Sequence, residues 1–367
     1  MILRSRSSRA PTWLKGVCIF VAVFVTHSVW GRGAFDRHIH RISASDRPWA
    51  LSEGDLPDAS AAAICRRQGW SPFVPRAGAE RRKVYDLIMV NNEVDWLEIR
   101  LNTTFDYVDY FVVVEAGKTF TGHPKPMAIR DNMDRLARYK SKLIYHELEY
   151  PPNFDPPRTW DREDLQRDAT FTQVLPRLKG EQVPTLGDVL VVADVDEIVR
   201  PETLTTLRHC EFPRRLTLRS QFYYYSYQFR HRVRDWPHPE ATFFDGRSTV
   251  LPTNLRNGDG GLQPLIYWDK ADMENAGWHC SSCFRTLEEL LDKMGSFSHT
   301  WMNRKKYRDP QRIVDRISQG RDIWDRKGEE FDRVEGNSDV PSFVLESERF
   351  RYLLGPGENG AVFEDYP

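Results

Sequence analysis

Five consecutive apolar residues, Val189 to Ala193, run directly into Asp194-Val195-Asp196-Glu197. A continuous apolar run of that length is what a strand covered on both faces requires. Three carboxylates within four positions at its end are expensive to bury unless they are paired or bind a metal. Earlier segments repeat the pattern. Val84 to Val90 is a strand-length run followed by Asn91, Asn92 and Glu93, then by Val94, Leu97 and Leu101 at helical spacing. Val108 to Val114 ends at Glu115, Leu143 to Tyr145 is shorter, and Phe171, Val174, Leu175 and Leu178 follow the i, i+3, i+4, i+7 spacing of a helix facing a core. Strands alternating with helices predict an α/β fold with a doubly wound, mostly parallel sheet, whose ligands bind beyond the carboxyl ends of the strands. That rule points to Asn91–Glu93, Glu115–Gly117 and Asp194–Glu197. No repeat of 20 to 50 residues is present.

The balance of 52 Lys+Arg against 53 Asp+Glu in 367 residues gives no net drive toward phosphate backbones, which disfavours a general nucleic-acid binder. With 40% hydrophobic residues and five cysteines, the disordered, collagenous and disulfide-scaffold classes are excluded. Residues 1–15 carry Arg4, Arg6, Arg9 and Lys15 without an acid, and residues 16–30 are largely apolar. The small residues of a cleavage site are lacking, so the expectation is an uncleaved signal anchor, with a cleaved signal as the alternative. The basic tail then stays cytoplasmic and the rest is lumenal. Residues 31–82, with scattered charges and several prolines, read as a stem, 83–355 as the catalytic domain and 356–367 as a C-terminal tail. Asn102-Thr103-Thr104 is an N-glycosylation sequon, and Cys65, Cys210, Cys280 and Cys283 permit two lumenal disulfides in three pairings.

Asp194 and Asp196, as alternate residues, can both turn toward one Mg²⁺ or Mn²⁺ whose shell is completed by water and a substrate diphosphate. The bland alternative is an acidic loop capping the next helix. His299 is a candidate third metal ligand, or else a satisfied core histidine. In Gly277-Trp278-His279-Cys280-Ser281-Ser282-Cys283 the C-x-x-C spacing reads as structural disulfide in preference to zinc or redox chemistry, and Trp278 and His279 are expected to line a sugar site. Of the aromatic run Phe222 to Phe229, half is expected in the core and half, with Tyr225, as an acceptor-sugar platform. Inverting glycosyl transfer needs a carboxylate to deprotonate the acceptor hydroxyl. Glu274 is the first candidate, then Asp272 and Asp269.

With these pieces in view the chain resembles glycosyltransferase family 17. The resemblance rests on Tyr85–Glu93, Val108–Glu115, Thr119–Gly122 with Pro124-Lys125-Pro126, Asp194–Ile198, Gly277–Phe284, Ser296–His299 and Arg349–Leu354. It implies a GT-A-like fold, a UDP-GlcNAc donor, a glycan or glycoprotein acceptor, a divalent metal at Asp194 and Asp196, inversion at the anomeric carbon, and a single-pass type II Golgi topology. Within that frame Asn91, Glu93, Glu115 and Asp194 are expected to bind the donor. A transferase using another UDP-sugar and a catalytically silent glycan-binding protein are the rivals.

Overall fold

The computed structural model describes residues 58–75, 81–355 and 362–366. The expected cytoplasmic tail, signal anchor and most of the stem lie outside these residues. Among the described residues no helix is long and apolar enough to cross a membrane.

In chain order the helices are α1 (Asp58–Arg67), α2 (Val94–Thr104), α3 (Ala128–Asp131), α4 (Thr159–Ala169), α5 (Pro201–His209), α6 (Pro252–Asn257), α7 (Gln263–Trp268), α8 (Leu287–Ser296), α9 (Pro310–Ser318) and α10 (Ser342–Glu346). The strands are β1 (Val84–Val90), β2 (Tyr110–Glu115), β3 (Leu143–Glu147), β4 (Val189–Asp194), β5 (Glu197–Val199), β6 (Arg215–Tyr224), β7 (Ser226–His231), β8 (Glu240–Phe243), β9 (Lys270–Ser281) and β10 (Phe331–Arg333).

They form one mixed sheet in the order β10-β7-β6-β8-β4-β1-β2-β3, with β9 joined to both β5 and β6. Strands β3, β2, β1 and β4 are parallel, as their continuous apolar runs predict. Beyond residue 194 the sheet is mixed, and among the described residues the expected parallel pairing persists only between β6 and β9. There β8 adds antiparallel to β4, and β6, β7 and β10 continue antiparallel. Tyr225 is the cause at one point: its φ of +65° reverses the chain between β6 and β7.

Both faces of the parallel half are covered. Trp96, Leu97 and Ile99 of α2 and Leu204 and Leu207 of α5 share one core cluster with Val84, Ile88 and Val191. On the opposite face Ala169, Val174 and Leu175 pack with Tyr85, Leu87, Val112 and Leu190. A third cluster joins Leu290 and Met294 of α8 and Ile313 and Ile317 of α9 to Phe222, Tyr224 and Phe229. The N-terminus of α8 is fixed by a reciprocal capping box between Thr286 and Glu289.

Residues 58–75, assigned by sequence to the stem, are docked on the domain. Cys65 is bonded to Cys210, Pro72 bridges to Cys210, and the Arg82 guanidinium lies 4.1 Å from the Phe73 ring centre and 4.8 Å from that of Phe212. The second disulfide joins Cys280 to Cys283, so neither cysteine of the C-x-x-C reaches Cys65 or Cys210, the cross-link the sequence also allowed. Asn102, the sequon asparagine, has its side-chain amide engaged. It lies half-buried within α2, and the amide nitrogen a glycan would occupy donates to the Tyr139 hydroxyl at 3.3 Å.

Two outcomes are expected. Asn102→Gln should leave the electrophoretic mobility of the secreted protein unchanged, and a downward shift would show glycan on that residue. Replacing Cys65 and Cys210 by Ser opens a link across 145 residues; it should lower the unfolding free energy by about 2–5 kcal/mol in denaturant titration.

Candidate active site

The order of the parallel strands creates the site. The chain moves outward from β1 through β2 to β3, then returns to lay β4 on the other side of β1, so the loops leaving β1 and β4 diverge and open a crevice. Met89 is in register with Asp194, which brings Asn91–Glu93 beside Asp194–Glu197. Buried Arg100 of α2 fixes the turn after β4. It is held by the Asp86 carboxylate at 2.7 and 2.6 Å and donates to the carbonyl oxygens of Asp194 (2.9 Å) and Glu197 (2.7 Å). Gln166 of α4 likewise ties the ends of β1 and β2, donating to Val90 O at 2.7 Å and Val114 O at 2.9 Å.

The three acids of the turn have different fates. Asp194 receives Arg167 on Oδ1 at 2.7 Å and Arg256 on Oδ2 at 3.0 Å. Burial alone would raise its pKa, but the two guanidinium groups outweigh burial and hold the carboxyl far below the usual range. Glu197, fully buried, accepts from Arg256 at 2.7 and 2.6 Å and from the Trp236 indole at 2.6 Å. Asp196 makes no ion pair with Lys or Arg among the described residues, and the nearest ring nitrogen, His279 Nδ1, is 3.7 Å away. Burial pushes the Asp196 carboxyl up to about 8, opposed by Lys293 and reinforced by Asp194 and Glu197. Burial lowers His279 to about 4, so it is a neutral imidazole at neutral pH.

The two acids expected to face one cation thus differ: each Asp194 oxygen accepts from a guanidinium group, whereas Asp196 has no Lys or Arg partner among the described residues. His299 lines the same cavity, packed edge-on against Trp160 and Phe297 with ring centres 4.9 and 5.0 Å apart. Burial lowers its pKa and keeps the imidazole neutral, the form that binds metal. Among the described residues no cluster of three His, Cys, Asp or Glu side chains could hold a metal. The oxygen of Asp196 and the imidazole of His299 are of the donor types that a hard cation completing its shell with water and phosphate oxygens accepts, too few for an all-protein cage.

This cavity has a volume of about 330 Å³ and is lined by Asp194, Asp196, His279, Lys293, His299 and Trp324, among others. A wider cleft of about 950 Å³ adjoins it, lined by Asn92, Lys125, Asp292, Ser296 and Arg308. Asn91 belongs to both, and α8 separates them, giving Lys293 and Met294 to one and Asp292 and Ser296 to the other. Asn91 donates its amide to Ser296 Oγ at 3.0 Å. Glu93 accepts the backbone N–H of Asn91 (2.9 Å) and Asn92 (3.1 Å) and the Lys293 ammonium (2.5 Å). Burial opposes its ionisation, but Lys293 and those N–H groups keep its pKa lowered.

Other expected site residues are placed elsewhere. Glu115 lines neither cavity; it is fully buried and accepts from Ile129 N (2.9 Å), Arg130 N (3.2 Å) and the Tyr145 hydroxyl (2.7 Å), closing the start of α3. Tyr225 is core, with its hydroxyl accepting from Ile323 N at 3.1 Å, while its neighbours Phe222 and Tyr224 line the cavity. Trp278 faces the opposite core, donating to Asp339 at 3.1 Å under the Arg200 guanidinium. His279, the next residue, does reach the cavity, between Trp236 and Phe222 at 4.5 and 5.3 Å. Asp272 accepts twice from Arg219 at 3.0 and 2.7 Å, and Glu274 lies 3.5 Å from the same group. Neither they nor Asp269 line the cavity, whose acids are Glu93, Asp194 and Asp196.

Sequence reasoning missed Arg167, Arg256, Lys293, Trp236 and Trp324. The Glu163–Arg167 pair at i, i+4 on α4, joined at 2.7 Å, carried a signal for one of them. Arg256 serves Asp194, Glu197 and Glu240 at once. Removing it with Arg256→Met should leave buried charge unpaired and cost about 3–5 kcal/mol in urea unfolding; an unchanged midpoint would show that the acids need no such partner.

The model of "Glycosyltransferase family 17" matches residues 50–359 of this chain. The human β-1,4-mannosyl-glycoprotein 4-β-N-acetylglucosaminyltransferase is 26% identical over 309 residues, covering 74% of this chain and 55% of its own length. The rat enzyme of the same name is 25% identical, with 74% and 54% covered. The chain thus spans about half the length of the curated relatives it matches. With the family's model extending over most of the chain, the protein belongs to glycosyltransferase family 17.

Proposed function

We propose that this glycosyltransferase transfers GlcNAc from UDP-GlcNAc to a glycan hydroxyl with inversion, using Mn²⁺ or Mg²⁺. The observation that carries the reading is Asp196, the open carboxylate of a turn whose other acids are neutralised by arginine, facing a cavity continuous at Asn91 with a larger cleft. The similarity to the mammalian N-acetylglucosaminyltransferases supports the choice of sugar.

In this reading the nucleotide occupies the wide cleft and the sugar the smaller cavity. Asn92 Oδ1 is buried without a hydrogen-bond partner among the described residues; it accepts an N–H or O–H, which the uracil imide offers. Asp196 and the neutral His299 would hold the cation, which when bound offsets charge on the departing diphosphate. Lys293, between cleft and cavity, adds a fixed positive charge at the same place. The position of these groups at the switch between β1 and β4 supports a GT-A-like reading. Two disulfides agree with an oxidising lumen, and residues 16–30 would anchor the enzyme in the Golgi membrane as a type II protein.

The test is UDP release by the purified protein with Mn²⁺ and a panel of UDP-sugars, with and without an N-glycan mixture. Release from UDP-GlcNAc stimulated by glycan is expected, and Asp196→Asn should lower it by about two orders of magnitude or more while the protein stays folded. Preference for another UDP-sugar would replace the donor. No release and no UDP binding would favour a glycan-binding role.

A further inference from the structure

The small cavity, like the wide cleft with its Asn92 Oδ1, has an unsatisfied polar atom. Trp324 is 4% exposed and lines the cavity with Asp196 and Lys293, yet its indole Nε1–H has no hydrogen-bond partner among the described residues. An indole nitrogen is a donor only, so a group entering beside it must bring an acceptor. The ring is rigidly held. The Trp324 backbone N–H donates to Asp322 Oδ2 at 3.1 Å, and the Arg326 guanidinium sits 5.0 Å over the ring while bonded to Asp322 and to the Tyr224 hydroxyl. The buried side chains that share this cavity and its core cluster are Leu290, Met294 and Phe222, which are apolar, and Tyr224, whose hydroxyl accepts from Arg326 at 2.9 Å.

A donor-only N–H set among apolar side chains suits a carbonyl oxygen with a methyl group beside it. A hydroxyl would also satisfy the indole, but it would leave Leu290 and Met294 without the apolar partner that an acetamido methyl brings. We infer that Trp324 reads the 2-acetamido group of the donor sugar, its Nε1–H donating to the amide carbonyl while the methyl packs against Met294 and Leu290. The inference rests on the proposed UDP-sugar reading and deepens it: the catalytic charges serve any UDP-hexose, whereas Trp324 selects an N-acetylated one.

The experiment compares wild type and Trp324→Phe, which keeps a ring and removes the N–H, in UDP release from UDP-GlcNAc, UDP-glucose and UDP-glucosamine. In wild type, kcat/KM should favour UDP-GlcNAc by at least about tenfold over both others, the equivalent of about 1.4 kcal/mol. Trp324→Phe should lose about tenfold on UDP-GlcNAc and less than twofold on UDP-glucose, with an unchanged Kd for UDP. An equal loss on all three sugars, or none on UDP-GlcNAc, overturns the assignment while leaving the transferase reading intact. Should the variant misfold, the wild-type comparison decides alone, since equal use of UDP-GlcNAc and UDP-glucosamine is incompatible with a carbonyl-reading indole. Wild type that releases UDP from no donor sinks the transferase reading first and this inference with it.

Discussion

Three buried arginines hold the acidic turn, and the site depends on them. Taking carboxylates out of water costs several kcal/mol each unless a counter-charge meets them in good geometry. Arg100, Arg167 and Arg256 reach the turn from α2, α4 and α6, so three helices on different parts of the sheet converge on four residues. Arg100 neutralises Asp86 and spends its remaining donors on the carbonyls of Asp194 and Glu197, which sets the path of the turn. Arg167 and Arg256 neutralise the first and last acids. Asp196 is left without a direct Lys or Arg pair among the described residues, and burial holds its carboxyl up at about 8, so a counter-charge arriving in the cavity would favour its ionised form.

The parallel half of the fold was legible because β1, β2 and β4 are covered on both faces and their sequences are apolar at nearly every position. The same reasoning misread the C-terminal half. Residues 222–229 are aromatic on both faces because β6 and β7 lie between two packed layers, so alternation gave no guide to which ring meets the cavity; the reversal at Tyr225 then placed it in the core beside Phe331. Helix α1 escaped notice because its Asp-Ala-Ser-Ala-Ala-Ala start carries little apolar periodicity, and its attachment comes from Cys65.

For the site, strand-end position predicted location well and availability poorly. Asp194, Asp196, Glu93 and Asn91 meet where the strand-switch rule says they should. Whether an oxygen is free depends on donors that the sequence places far away: Arg167 lies 27 residues before Asp194 and Arg256 lies 62 after it. Glu115 shows the local version of the same difficulty, since its lone pairs go to the N–H groups of Ile129 and Arg130. Asp272 and Glu274 were attractive as acids near the Gly277-Trp278-His279 segment, but three residues of β9 bulge against Arg219 and turn them toward that cation.

Helix α8 joins these constraints to recognition. Leu290, Lys293 and Met294 are spaced i, i+3, i+4 and so project from one face, presenting a cation and an apolar wall to the same cavity. Its start is locked by the Thr286–Glu289 capping box, its last residue, Ser296, is bonded to Asn91 at the end of β1, and Lys293 is bonded to Glu93. A rotation of this helix by one residue, about 100°, would move the ammonium away from Glu93 and turn the apolar pair toward the nucleotide cleft. The position of the Lys293 ammonium and that of the apolar wall of the small cavity are therefore set by one helical register, and that register is fixed by the loop that leaves β1.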